Sequence, residues 1–251
     1  MAGIRHLHIE EGLGDPFLPA LPRLHYVLRG VKRSQGEEGN ASSEHLPITP
    51  PLLHRIKVVW EPQANDPDTI MLWAACFLAF FGFLRAGEFT VPGNTVYDCS
   101  THLSWGDLAV DNPASPGILS VHLKASKTDP FRKGITLYIG KVPSELCPVS
   151  AMLAYLLVRG KQPGPLFQFK DGKPLTRQRF VQAVRGALIS AGIQADRYAS
   201  HSFRIGAATT AAARGMEDSI IKTLGRRKSL AYLEYVKIPR QQLANYSVML
   251  C

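Results

Sequence analysis

Arg85 closes the most apolar run of the chain, Ile70 to Leu84, and Glu88 follows three residues later in GFLRAGEF. A guanidinium at the end of such a run is presented to an anion from a rigid, dry wall, and a carboxylate at i+3 is placed to orient a neighbouring donor. For these two residues alone, a helix-end ion pair is the simpler account. LKASKTDPFRKG gathers Lys124, Lys127, Arg132 and Lys133 into one turn between β-rich runs. Lysines on a hairpin tip reach a phosphate backbone, or simply keep the tip soluble. His201 and Arg204 open HSFRIGAATTAAARG, where i, i+3 spacing puts imidazole and guanidinium on one face of a first helical turn. The positive end of the helix dipole adds to them, which suits an oxyanion or a phosphate. The small residues from Gly206 onward let that helix pack closely. In LGRRKSLAYLEYVK, Tyr235 has Tyr232 at i−3, and each ring is a packing group or a nucleophile.

The elements that must hold these groups follow from patterning. Apolar residues make up 45% and charged residues 20% of the 251, which excludes a wholly disordered chain, a collagen and a coiled-coil rod. The longest apolar run, about 15 residues, falls short of the roughly 20 that a membrane-spanning helix needs. The first residues lack a signal-peptide pattern. Four scattered cysteines, with no Cys-x-x-Cys pair and no histidine at zinc spacing, argue against structural zinc or a disulfide framework and for an intracellular setting.

Residues 34–50, polar, Gly/Ser-rich and ending in prolines, are expected to be a linker between short helical patterns in 1–33 and a folded region over 51–251. Within that region the pattern predicts helices over Pro50–Trp60, about Pro67–Glu88, Pro148–Arg159, Thr176 to about Ala191, and about 201–214, 217–225 and 229–236. Short runs at 108–110, 118–123 and 135–139 predict a three-stranded antiparallel sheet, and LFQFKDGKPL a strand with a tight turn at Asp171-Gly172. The fold class is mainly α with a small antiparallel sheet.

Charge is divided unevenly. Residues 1–117 carry 8 Lys and Arg against 13 Asp and Glu, a net of −5, whereas residues 118–251 carry 21 against 7, a net of +14. A polyanion partner would use such a half, through release of condensed counterions.

Taken in order, Arg85, Lys127, His201-x-x-Arg204 and Tyr235 resemble the active-site signature of the tyrosine recombinases, the phage integrase family. The match spans about residues 50–240, and LAFFGFLRAGEFTV, SKTDPFRKG, ASHSFRIGAAT and LGRRKS followed by YVK look most like the recombinases of eukaryotic tyrosine-recombinase retrotransposons and crypton-like elements. The resemblance implies a helical catalytic domain with a small sheet, preceded by a truncated core-binding domain of which 1–33 is the remnant. It implies Tyr235 as nucleophile, Arg85 and Arg204 as clamps on the non-bridging oxygens, Lys127 as acid to the leaving 5′-oxygen and His201 as aid to proton transfer. Glu88 takes the family's acidic position. Lys124, Arg132, Lys133 and Lys228 are expected to contact double-stranded DNA, on which such proteins assemble as tetramers. Neither metal nor cofactor is expected, no carboxylate cluster at two-metal spacing or phosphate-binding loop being present in the sequence, and no membrane association. A eukaryotic member would act in the nucleus.

Arg226-Arg227 stand where the family has His or Trp, and where related mobile elements read Gly-Arg-Trp. An arginine still donates hydrogen bonds, but its shape differs and the aromatic packing is lost. The expectation is reduced strand transfer, and a second reading is a DNA-binding protein derived from such an enzyme.

Overall fold

The computed structural model describes residues 45–93, 95–125, 133–226 and 247–248, together with 7–8 and 10–13 near the start. The chain divides into two units, Met1–Glu44 and His45–Cys251. In the first, the described residues form a short helical turn in which Glu11 N donates to Leu7 O. The second carries the core.

Four of its helices begin where a proline removes, or a short side chain satisfies, a free amide of the first turn. Helix α1 (Pro50–Trp60) starts on two prolines, and α2 (Pro67–Phe81) on Pro67, with the Asp66 carboxylate accepting from Thr69 N at 3.1 Å. Strands β1 (Leu108–Val110), β2 (Ile118–Leu123) and β3 (Ile135–Gly140) form one antiparallel sheet in that order, in the register Leu108 to Val121 and Leu119 to Ile139. Leu119, Val121 and Leu123 alternate into the core, as a sheet with one covered face requires. Helix α3 (Pro148–Arg159) packs on α2 and β3, and α4 (Arg177–Ser190), capped by Thr176 Oγ1, packs on α1. Helices α5 (Ser202–Ala213) and α6 (Asp218–Leu224) pack on each other, with α5 also against α2. No described helix is long and apolar enough to cross a membrane.

Helix α2 is buried along nearly its whole circumference, with Phe77, Phe80 and Met71 fully enclosed. It stops at Phe81, however, and not at Glu88. Gly82 follows at a site where a Cβ would lie 2.7 Å from Leu78 O, and Phe83 adopts a left-handed backbone with φ of 50°. A non-glycine residue takes that conformation only when its surroundings impose it. Arg85 therefore begins a separate short 3-10 turn, Ala86–Glu88, four residues past the helix. The segment 166–175 likewise makes isolated bridges, Gln168 to Pro174 among them, in place of a regular strand.

Residues 45–49 belong with the second unit rather than with a free linker. Ile48 is wholly buried, Leu46 N donates to Arg197 O at 3.0 Å and Ile48 N to Ser202 O at 2.9 Å. Gly206 makes this approach possible: a Cβ there would lie 1.7 Å from Ile48 O.

Candidate functional site

The 82–88 segment is shaped by two arginines distant in sequence. Arg204, in the first turn of α5, is buried and donates through Nη1 to Phe83 O at 2.6 Å and through Nη2 to Gly225 O. Arg226, itself left-handed with φ of 49° just after α6, donates to Gly82 O at 3.0 Å and Phe83 O at 3.2 Å. The Phe83 carbonyl thus accepts from two guanidiniums, which accounts for the otherwise unfavourable turn that precedes Arg85.

Glu88 then joins this support to Arg85. One carboxylate oxygen accepts from Arg85 N at 2.8 Å and from Arg226 Nη2 at 2.7 Å, while the other accepts from Arg85 Nη1 at 3.2 Å. The Glu88 side chain is only 3% exposed, so its charge needs these partners. Burial pulls the Arg226 guanidinium below the usual arginine value, the Glu88 charge opposes that, and nearby Arg85 adds to it. Nε of Arg226 is buried without a partner among the described residues.

Arg85 is less enclosed, its side chain 20% exposed, and it lines an open cleft of about 470 Å³ with Ala86, Gly87, Glu88, Ala125, Arg177, Ser200 and His201. His201 occupies the cap position of α5, with its ring open to the cleft. Its pKa is held below the ordinary histidine value, first by partial desolvation and then by the electrostatic influence of Arg177 and, in decreasing order, His45, Arg204 and Arg85. The ring is therefore neutral at pH 7 and able to take a proton. A dianionic or monoanionic oxygen cluster is the natural occupant of a cleft edged by these cations.

Arg85, Glu88, His201, Arg204 and Arg226 are thus brought together from three parts of the chain. Arg204 lies beneath the cleft wall rather than lining it. Lys124 is committed elsewhere: its ammonium pairs with Asp107 at 2.6 Å and donates to Cys99 O at 2.8 Å and Ser104 Oγ at 3.2 Å. Lys133 is exposed at the base of the hairpin. Lys127, Arg132, Arg227, Lys228 and Tyr235, with the helix expected over 229–236, lie outside the described residues. Ala125, on the cleft, immediately precedes the segment that contains Lys127.

Two residues in or near the cleft escaped sequence reasoning: Arg177 lines it, and His45 acts on His201 without lining it. Arg177 follows the Thr176 cap and reads there as an ordinary first-turn residue, although a cation at that end opposes the helix dipole and so hints at another duty. His45 lay inside the segment read as linker, and no local pattern marks it.

This architecture is that of a tyrosine-recombinase catalytic domain. Among solved structures the chain is similar to XerH site-specific recombinase bound to difH substrate in a pre-cleavage complex, with a TM-score of 0.54 and 15% identity over 79% of this chain and 52% of that one. It is also similar to XerA recombinase, with a TM-score of 0.52 and 16% identity over 97% and 71% of the two chains. A lambda integrase dimer bound to a COC′ core site gives a TM-score of 0.52 and 16% identity over 93% and 62%. At such identities the likeness is one of fold. The chain spans about half the length of the XerH chains it matches. No protein-family model and no curated protein matches the sequence.

Proposed function

We propose that the protein is a DNA strand transferase that cleaves and rejoins DNA through a covalent 3′-phosphotyrosyl intermediate, acting on double-stranded DNA as a self-associated complex on paired sites. The observation that carries the reading is the convergence of Arg85 and His201 on one cationic cleft, with Arg204 under its wall and Ala125, two residues before Lys127 in the sequence, in its lining. The tyrosine-recombinase fold and the +14 charge of residues 118–251 support it.

In the proposed reaction Tyr235 Oη attacks phosphorus, the bond to the 5′-oxygen breaks, and the phenolic proton passes toward His201. Lys127 gives a proton to the departing 5′-oxygen. Charge building on the two non-bridging oxygens is met by Arg85, held in place by Glu88, and by the field of Arg204. Attack by a 5′-hydroxyl on the phosphotyrosine reverses these steps, so the bond energy is conserved and ATP is not required. The motif flavour favours an origin among eukaryotic mobile elements, with nuclear action in that case.

The test is a nicked duplex from which the cleaved 5′-end diffuses away. The protein is expected to form a covalent adduct that survives denaturing electrophoresis, and Tyr235→Phe to abolish it. An adduct lost in Tyr232→Phe but kept in Tyr235→Phe would move the nucleophile. A second reading, a DNA-binding derivative with impaired transfer, is favoured by the inward-turned Arg226, and it predicts duplex binding without any adduct.

A further inference from the structure

We infer that Arg226 is a positioning residue, which acts through Glu88 and the 82–84 turn to hold Arg85 in the cleft wall and makes no contact with DNA. The inference rests on the proposed strand-transfer reading for its catalytic consequence, although its geometry stands apart from that reading.

Three observations carry it. The Arg226 side chain is 6% exposed, and its terminal nitrogens are turned onto Gly82 O, Leu224 O, Phe83 O and the Glu88 carboxylate. A guanidinium whose donors are all directed inward, with Nε sealed off, has no fork left to offer a phosphate. Second, the Glu88 oxygen that takes Arg226 is the same one that takes the Arg85 amide, and the other takes the Arg85 side chain. Glu88 is therefore a hub shared between a largely buried cation and the cleft cation. With Arg226 present, the buried carboxylate is neutralised from behind and Arg85 keeps donors facing the cleft. Without it, the only remaining counter-charge to Glu88 among these residues is Arg85, which is then drawn down onto it. Third, Arg226 and Phe83 both hold a left-handed backbone, and the Arg226 guanidinium donates to the Phe83 carbonyl, so two strained residues are tied by one side chain. The end of α6 and the Arg85 turn are joined through it.

The experiment compares wild type, Arg226→Gln, Glu88→Gln, the double variant and Arg226→Lys, well below their melting temperatures. Covalent-adduct rates on the nicked duplex and duplex affinity across a salt titration are measured for each. Arg226→Gln is expected to lower the adduct rate by about tenfold to a hundredfold at unchanged duplex affinity and salt slope, with the double variant no slower than the slower single variant. Arg226→Lys, keeping the charge but losing the fork, is expected to recover part of the rate. A phosphate contact would instead flatten the salt slope by about one unit and make the losses multiply. That result, or a wild-type rate in Arg226→Gln, overturns the inference. Should wild type itself give no adduct, the strand-transfer reading fails, and the inference is decided by melting temperature and salt slope in the same proteins. Non-additive melting shifts at constant slope sustain it, and additive shifts with a flatter slope overturn it.

Discussion

Arg85 is the cleft cation with the most elaborate support, and its removal should be felt in the chemistry rather than in the fold. Arg85→Ala is expected to lower the adduct rate by about 10²–10³-fold, the usual loss for one donor to a developing oxyanion, with a melting temperature close to wild type. Arg177 faces the same cleft but has no comparable scaffold. Arg177→Ala should therefore weaken duplex binding and flatten its salt slope by about one unit. His201 supplies a pH signature. Its folded pKa lies below the free value near 6.5, so the neutral ring contributes fully above that pH, and stability declines as acid drives protonation through the lower folded value. His201→Gln should flatten this acid-side loss in a melting-temperature profile. Phosphates entering the cleft reverse the field around the ring, so duplex binding by wild type should take up protons and tighten between about pH 7.5 and 6 more than binding by the variant.

At the level of elements, Gly206 marks the tightest approach at any described glycine, and Gly206→Ala should cost about 3 kcal/mol, or about 6–10 °C in melting temperature. Lys124→Met should lower the melting temperature by about 3 °C and leave the salt slope of DNA binding unchanged, because its ammonium serves Asp107 and the 99–104 loop. Sequence placed α1, α3 and α4 from an opening proline or capping threonine, and α5 and α6 to within about a residue without either, with Gly215 and Gly225 as their stops; the sheet emerged from short β-rich runs between obvious turns. The overrun of α2 to Glu88 has a physical cause. The residues GFL continue the apolar pattern, and the break is imposed by Arg204 and Arg226, which lie more than a hundred residues away. Spacing paired Arg85 with Glu88 and His201 with Arg204, and only the resemblance to the tyrosine recombinases implied that the two pairs share a site. It could not reveal that Arg204 and Arg226 would spend donors on backbone carbonyls, since the acceptors exist only once the turn has formed.

For the molecule as a whole, the basic half sets the binding regime. If it engages six to ten phosphates, duplex affinity should fall by about 10³–10⁵-fold between 50 and 200 mM salt, and a slope near zero would remove nucleic acid from consideration. The same scale gives the 45–49 segment its importance. Two backbone amides fasten it to Arg197 and Ser202, and its carbonyl at Ile48 sits against the bare face of Gly206. The two hydrogen bonds land at residues 197 and 202, on either side of His201, the cap of the helix that opens at Ser202. A displaced 45–49 segment is therefore expected to be felt first at the two ends of the loop that carries the imidazole.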